Sequence, residues 1–195
     1  MKKIILLTAL IGTLVSANPT DQNSTKKELP PVVVKGVSAI KMLGKELKSN
    51  LKAKLKEDGS GIKAIEFCTT KAMEITGEVN SKLPKGTTVR RVSVKYRNEA
   101  NKPDSIDEET LKQFQKELES GKFVKKPKVV DANGTKRVYV PLLVSKVCTK
   151  CHGKNIDPKI AEAIKKSYPT DRAIDFKEGD LRGAMVAEIK DSIKK

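Results

Sequence analysis

Two cysteines and a histidine stand in the spacing C-x-x-C-H at Cys148, Cys151 and His152. Two thiols at this spacing can each add to a vinyl group of a haem, and the imidazole that follows then lies where its nitrogen can reach the iron. His152 is the only histidine of the 195-residue chain, so this chain has no second imidazole for the opposite face of the iron. The spacing predicts one covalently bound haem c with His152 as the proximal iron ligand.

Three other chemistries use the same residue types. A thioredoxin-like redox pair belongs at an early strand-to-helix turn, whereas this motif begins at residue 148. A zinc site could add Cys68, but the adjacent Cys151 and His152 would have to bend back onto one tetrahedral ion. A structural disulfide between Cys148 and Cys151 would close too small a loop to stabilise much, and it would leave His152 and Cys68 unexplained. We therefore favour haem attachment.

The first residues of the chain have the composition of an export signal. Lys2 and Lys3 precede an apolar run from Ile4 to Val15, which is too short for a permanent membrane span, and small residues follow up to Ala17. We predict a signal peptide over residues 1–17, cleaved after Ala17. Bacterial haem attachment takes place outside the cytoplasmic membrane, so the export signal and the C-x-x-C-H motif both predict a periplasmic protein.

The chain is strongly basic, with 40 Lys and Arg against 24 Asp and Glu and a net charge of +16. The lysines are scattered and aromatic residues make up only 4%, a composition that does not favour nucleic-acid binding. A basic surface can steer a protein toward an acidic redox partner or an anionic membrane. A separate signalling partner is the other expectation, and the sequence does not predict an oligomeric state.

The segment between the signal peptide and the first long helix looks like a tether. Residues 18–36 are polar at first, then contain Pro30 and Pro31, and Val32–Val34 could add an edge strand. The length favours one domain over residues 37–190, followed by a short tail at 191–195.

Two amphipathic helices are predicted before the first strand. From Ser38 to Glu57, apolar residues recur every three or four positions, as they do on one face of a helix, and Gly59 and Gly61 then end the pattern. A second stripe of the same spacing runs from Ile62 to Lys82 and places Cys68 on the buried face of its helix.

The remaining segments alternate between strand and helix patterns. Strands are predicted at 89–97, 123–130, 136–144 and 181–189, and helices at 107–120 and 158–166. Asn133 and Gly134 indicate a hairpin between the two middle strands. Together these elements predict an α+β fold in which helices pack on an antiparallel sheet.

The sixth position of the iron must be filled by a residue other than histidine from this chain or by water, or it stays empty. Cysteine, methionine and lysine can fill this position, which leaves Cys68, Met42, Met73, Met185 or a lysine. Met42 and Met73 lie off the apolar stripes of their helices. Cys68 points inward, and Met185, in the last predicted strand, is the main alternative.

Several ordered motifs resemble a known family. They are Ala64-Ile65-Glu66-Phe67-Cys68, Arg91-x-Ser93-x-Lys95-x-Arg97-Asn98 with Asn101 and Pro103, Cys148-x-x-Cys151-His152-Gly153, Tyr168-Pro169-x-Asp171-x-Ala173 and Gly179-Asp180-x-Arg182-Gly183. Together they resemble the monohaem c-type domain of PAS-like fold, a family that includes a cyanobacterial Tll-type haem protein and the extracytoplasmic haem sensor regions of some receptors. The resemblance implies a PAS-like antiparallel sheet flanked by helices, with two long N-terminal helices. It also implies that His152 and Cys68 are the axial ligands.

These residues predict a function in electron transfer or in redox or gas sensing. A thiolate stabilises ferric iron, so reduction should weaken its bond to the metal and make Cys68 a switchable ligand. Arg97, Arg182 and Tyr168 are candidate partners of the haem propionates, because guanidinium and phenol groups bond carboxylates well. A peroxidase-like enzyme is the weaker alternative, since it would need acid–base groups at an open distal site. A purely structural C-x-x-C domain is the remaining alternative.

Overall fold

The computed structural model describes residues 28–190; the predicted signal peptide at 1–17 and the tail at 191–195 lie outside them. The helices are α1 (Pro31–Glu57), α2 (Ile62–Thr70), α3 (Ala72–Lys82), α4 (Ser105–Glu119), α5 (Thr149–His152) and α6 (Pro158–Ser167). The strands are β1 (Thr87–Val92), β2 (Lys128–Ala132), β3 (Thr135–Leu143) and β4 (Leu181–Lys190). Within this part of the chain, no helix combines the length and the apolar character that crossing a membrane requires.

Helix α1 begins earlier than its apolar stripe indicated. Pro31 is its first residue, a position where the missing N–H of proline costs no hydrogen bond. The predicted tether and edge strand are therefore wrong for residues 31–36. Val33 is buried on the inner face of the helix, and a Cβ on Gly36 would lie 2.5 Å from the side chain of Val138 in β3. The first turns of α1 thus pack directly on the sheet.

The predicted second helix is divided into α2 and α3 at Lys71. The hydroxyls of Thr69 and Thr70 both donate to the carbonyl of Glu66 at 2.8 Å. Such bonds compete with the regular helical ladder, and they fall in the last turn of α2. The break places the end of α2, including Cys68, at a joint between two short helices.

The sheet of this region has four strands in the order β1-β4-β3-β2, and all three pairings are antiparallel. Strands β2 and β3 form the predicted hairpin, in which Asn133 and Gly134 both have positive φ, at 51° and 82°. Two consecutive positive φ values are the geometry of the tight turn that Asn-Gly favours. The hairpin prediction is confirmed.

Strand β4 lies between its two neighbours and is covered by helices on both faces. Met185, Ala187 and Ile189 pack against α1 and α3, whereas Ala184 and Val186 pack against α4. Side chains of a strand alternate between faces, so this nearly continuous apolar strand divides the core into two layers. The α+β fold with an antiparallel sheet flanked by helices is confirmed.

Two predicted strands were too long. Strand β1 ends at Val92 rather than at residue 97, because the chain leaves the sheet at Ser93, whose N–H donates to the carbonyl of Asn101 at 3.1 Å. Strand β2 begins at Lys128 rather than at residue 123, directly after Pro127, which has no N–H to donate to a ladder. The segment after β1 turns instead toward the C-x-x-C-H motif.

Helix α4 is attached to the sheet through a buried carboxylate. Asp107, in its first turn, is fully buried and forms ion pairs with Arg90 at 2.8 Å and Arg137 at 3.2 Å. The hydroxyl of Tyr139 donates to the same carboxylate at 2.7 Å. Asp104 and Asp107 also form a reciprocal capping box. This network fixes α4 against β1 and β3, on the sheet face opposite α1.

Candidate cofactor site

The C-x-x-C-H motif lies directly after β3, on a single turn of 3₁₀ helix followed by the one-turn helix α5. Its two thiols are half-buried and point to different surroundings. Cys148 contacts the cluster of Val144, Ala173 and Phe176, and its sulfur lies 3.1 Å from the Ser145 hydroxyl. Cys151 packs instead against the cluster formed by α2 and α6. The two thiols that precede His152 therefore pack in different surroundings.

One nitrogen of His152 has a fixed partner. Nδ1 lies 2.8 Å from the carbonyl oxygen of Ala173, and because a carbonyl can only accept, Nδ1 carries the proton. The lone pair is then on Nε2, which is the nitrogen a metal would use. Burial, with the positive charges of Arg182 and Arg97 added, lowers the pKa of His152 to about 2. The ring is oriented by Phe176, whose plane meets it edge-on with centroids 6.3 Å apart.

Arg97 and Asp171 form a buried ion pair behind the motif. The guanidinium bonds both carboxylate oxygens at 3.1 and 3.2 Å, and the two side chains are only 8% and 9% exposed. Nη2 of Arg97 also donates to the carbonyls of Cys151, at 2.5 Å, and of Ala173, at 3.2 Å. Ala173 therefore receives hydrogen bonds from both Arg97 and His152. We call this pair the Arg97–Asp171 clamp.

The segment after Ala173 holds the motif from a second side through its backbone. The N–H of Phe176 donates to the carbonyl of His152 at 2.9 Å, and the N–H of Asp175 donates to that of Gly153 at 3.2 Å. A four-residue helix has little stability of its own. The position of α5 is thus set by this segment and by the Arg97–Asp171 clamp, which fix the histidine before any cofactor is present.

Cys68 lies in the last turn of α2 and shares surroundings with the motif. Its carbonyl accepts a hydrogen bond from the hydroxyl of Tyr168 at 2.9 Å, which links α2 to the C-terminal end of α6. Burial raises the pKa of the Cys68 thiol, and the positive charges of Arg91, Arg97 and Arg182 oppose that rise. The charge of Cys68 also acts on Cys151. The structure therefore brings Cys68 and the motif into one electrostatic environment.

Met185, the alternative ligand, lies on the sheet face that packs against α1. It is 9% exposed within the main core cluster, to which Cys68 also packs at the margin. A Cβ on Gly44 of α1 would lie 3.5 Å from its sulfur. The thioether therefore packs under α1, whereas the pKa of the Cys68 thiol is influenced by the positive charges of Arg91, Arg97 and Arg182.

The three predicted propionate partners differ in what their polar groups already bind. Arg97 is paired with Asp171, and Tyr168 donates to the Cys68 carbonyl. Arg182 forms no ion pair among residues 28–190; one of its terminal nitrogens, Nη1, donates to the Ser93 hydroxyl at 2.8 Å and to the Lys95 carbonyl at 3.0 Å. Burial, together with the positive charge of Arg97, lowers the pKa of Arg182 to about 10.

Arg91 is a site residue that the sequence reasoning missed. Its alternation with Val92 had placed it on a polar strand face, but both faces of β1 are covered by helices, so Arg91 lies half-buried toward Cys68 and Tyr168. Its nearest polar contact is the sulfur of Met73, at 3.8 Å from Nη2. Burial lowers the pKa of Arg91. The position of Arg91 two residues after the inward-facing Val89 was the available signal.

The arrangement gives little support to the alternatives of a zinc site or a disulfide. In the part of the chain that the structure describes, no three His, Cys, Asp or Glu side chains converge as metal ligands. Cys68, Cys148 and Cys151 are free thiols. Two separated thiols beside one oriented imidazole fit a flat cofactor with two attachment points, since a single ion would need all of its ligands on one small sphere.

The fold is an α+β domain with an antiparallel sheet flanked by helices. The C-x-x-C-H motif follows its strand β3 and forms a candidate site for a covalently bound cofactor. The chain belongs to the Tll0287-like family, whose model, Tll0287, matches residues 10–189. The predicted membership in the Tll-type haem protein family is thus confirmed. Among solved structures, the chain is similar to the crystal structure of the cyanobacterial heme-protein Tll0287, with a TM-score of 0.64 and 24% identity. That match covers 86% of this chain and 100% of the other. No curated protein matches this chain.

Proposed function

We propose that this protein binds one haem c, covalently attached through Cys148 and Cys151, with His152 as the proximal iron ligand. The observation that carries the proposal is the bond from Nδ1 of His152 to the Ala173 carbonyl at 2.8 Å, which leaves Nε2 for a metal. The two free thiols that precede this histidine in the motif and the similarity to a cyanobacterial heme-protein support it. When bound, the haem would supply a one-electron couple at the iron.

We further propose Cys68 as the distal ligand, with Met185 as the alternative. The chain has no second histidine, and Cys68 shares the environment of Cys151 and the surrounding arginines. Thiolate coordination favours the ferric state, so this site would have a low reduction potential.

The protein would then act in electron transfer or in redox or gas sensing. The break between α2 and α3 favours a switchable ligand, because Cys68 lies three residues before the joint at Lys71. Movement at this joint would let the thiol leave a reduced iron without disturbing the sheet. An enzymatic role such as peroxidase activity is less favoured, since the one histidine is bound to Ala173 and no other imidazole exists for acid–base work.

The proposed place of action is the periplasm, after removal of residues 1–17. The net charge of +16 supports association with an acidic redox partner, a separate signalling partner or an anionic membrane surface. Such association would weaken as salt is raised, because surface charges are screened within about 8 Å at physiological ionic strength.

The test compares absorption and electron-spin spectra of the haem-loaded protein with those of Cys68→Ala and Met185→Leu, in both oxidation states. We expect a low-spin ferric signal that Cys68→Ala converts to high spin or to another ligand set and that Met185→Leu preserves. The reverse result would assign Met185. A protein that retains no haem on a denaturing gel after expression with the maturation machinery would contradict covalent attachment.

The same variants test the proposed switch. If Cys68 dissociates on reduction, ferric wild type mixed with reductant and carbon monoxide together should bind carbon monoxide only after a lag, which Cys68→Ala should lack. Identical binding from the first mixing would remove the switching mechanism while leaving the ligation intact.

A further inference from the structure

Among the arginines of residues 28–190 that are at least half-buried, two at the site have no counter-ion. Arg90 and Arg137 pair with Asp107, and Arg97 pairs with Asp171. Arg91 and Arg182, both half-buried, form no ion pair with any carboxylate of residues 28–190. A buried cation without a counter-ion is costly. The two unpaired arginines therefore indicate that the occupied site contains anions.

The two unpaired arginines belong to the surroundings of the proposed ligands: the Arg182 guanidinium lies 5.3 Å from the centre of the Phe176 ring, which meets the His152 ring edge-on, and Arg91 contacts Met73, in the helix that follows Cys68. Arg91, Arg97 and Arg182 all act on the Cys68 thiol, and Arg97 and Arg182 act on His152 as well. The charge of Arg97 is cancelled by Asp171 in direct contact. Two half-buried guanidinium groups without a carboxylate partner thus lie at the site, Arg91 on β1 and Arg182 at the start of β4, beside the Lys95 ammonium group, which lies 4.6 Å from the centre of the Phe176 ring.

We propose that Arg91 and Arg182 bind the two propionate carboxylates of the haem. This inference rests on the proposed function, and it moves the propionate role away from Arg97 and Tyr168, whose polar groups are already engaged. The charges then balance. Ferric iron in a porphyrin dianion has a net charge of +1, which the thiolate of Cys68 cancels, and the two propionates cancel the two arginines.

Both guanidinium groups have N–H donors that form no hydrogen bond with residues 28–190. Nη1 of Arg182 bonds Ser93 and Lys95, whereas its Nε and Nη2 make no hydrogen bond among residues 28–190. The guanidinium also lies 5.3 Å from the centre of the Phe176 ring, which holds it in place from one side. Arg91 makes only the weak contact to the Met73 sulfur. Each arginine can therefore offer a carboxylate the two parallel N–H groups that guanidinium presents.

The test uses the haem-loaded full chain and compares Arg91→Gln, Arg182→Gln and, as a control, Arg172→Gln. Arg172 is exposed and stacks on the Tyr96 ring, so its removal changes the net charge equally without touching the site. Resonance Raman spectra report the bending modes of the propionates, which shift when a hydrogen-bond donor is lost. We expect one propionate band to shift in each site variant, both bands in the double variant, and neither in the control.

A second readout is the reduction potential at constant pH. Removing a cation near the iron should lower the potential in both site variants, and Arg91→Lys and Arg182→Lys should restore it while leaving the Raman band displaced. These lysine variants also serve if a glutamine variant does not fold. Unshifted propionate bands in Arg91→Gln and Arg182→Gln would overturn the proposal.

A band shift confined to iron–sulfur charge transfer in Arg91→Gln would also overturn it, by assigning Arg91 to the thiolate. Failure of the proposed function itself would be seen separately, as a wild-type protein without covalent haem.

Discussion

Replacing Arg97 by glutamine tests whether the Arg97–Asp171 clamp holds the motif in place. The substitution removes a cation whose side chain is 8% exposed and leaves the Asp171 carboxylate, 9% exposed, without its counter-ion. Removing one partner of a buried pair costs about 3–5 kcal/mol. Glutamine can keep at most part of the bonds to the Cys151 and Ala173 carbonyls, each worth about 1 kcal/mol. Since domains are stable by only about 5–15 kcal/mol, Arg97→Gln should remove a large part of the stability.

Urea unfolding of the apoprotein measures this loss, and a double-mutant cycle identifies its source. Asp171→Asn alone should also destabilise, but the double variant Arg97→Gln/Asp171→Asn should lose less than the sum of the two, by about 1 kcal/mol or more. Arg172→Gln, an exposed arginine one residue after Asp171, is the control and should change the unfolding midpoint little. Additive losses would refute the clamp, and so would a loss below about 1 kcal/mol in Arg97→Gln.

Three further changes test the fold and the site. Asp107→Ala should cost about 1–3 kcal/mol, measured by urea unfolding, because the buried Tyr139 hydroxyl loses its acceptor while Arg90 and Arg137 keep Asp104 and Glu188 as partners; an unchanged midpoint would contradict it. Gly36→Ala should cost about 1–3 kcal/mol in urea unfolding, because its Cβ would lie 2.5 Å from Cγ2 and 2.6 Å from Cβ of Val138, so that Val138→Ala should not rescue it; an unchanged midpoint would contradict the close packing of α1 on the sheet. Tyr168→Phe should keep the fold but speed ligand entry at the ferric iron, because the Cys68 carbonyl loses its bond; stopped-flow mixing with imidazole checks this, and equal rates would exclude the effect.

The sequence predicted elements well where local patterns decide the structure. The apolar stripes identified most of α1 and the span of α2 and α3, and Asn133 and Gly134 located the hairpin from their need for positive φ. Element ends were less predictable. Pro31 looked like part of a tether because the helix that it starts is stabilised by packing on Val138, a contact that lies about 100 residues away in sequence.

The site residues were also predictable only where a local pattern identifies them. The C-x-x-C-H spacing is local and was visible at once, and the helical stripe placed Cys68 toward the interior. The roles of the arginines depend on partners distant in sequence: Arg97 meets Asp171, while Arg91 meets no carboxylate of residues 28–190. Periodicity cannot separate a paired from an unpaired cation, because both occupy alternate positions of the same strand segment. Only the folded structure shows which arginine has a carboxylate partner.

The distance along the chain between Cys68 and the motif has a consequence for chain entropy. The two lie about 80 residues apart in sequence, and three of the four strands that the structure describes, β1, β2 and β3, lie between them. If both bound one iron, Cys68 and the motif would close a loop of about 80 residues in the unfolded chain. By analogy with a disulfide, this loop would lower the entropy of the unfolded chain by the equivalent of about 4–5 kcal/mol at 25 °C. Each reduction that releases Cys68 would open this loop, so the oxidation state of the iron would determine how firmly the N-terminal helices are tied to the rest of the protein.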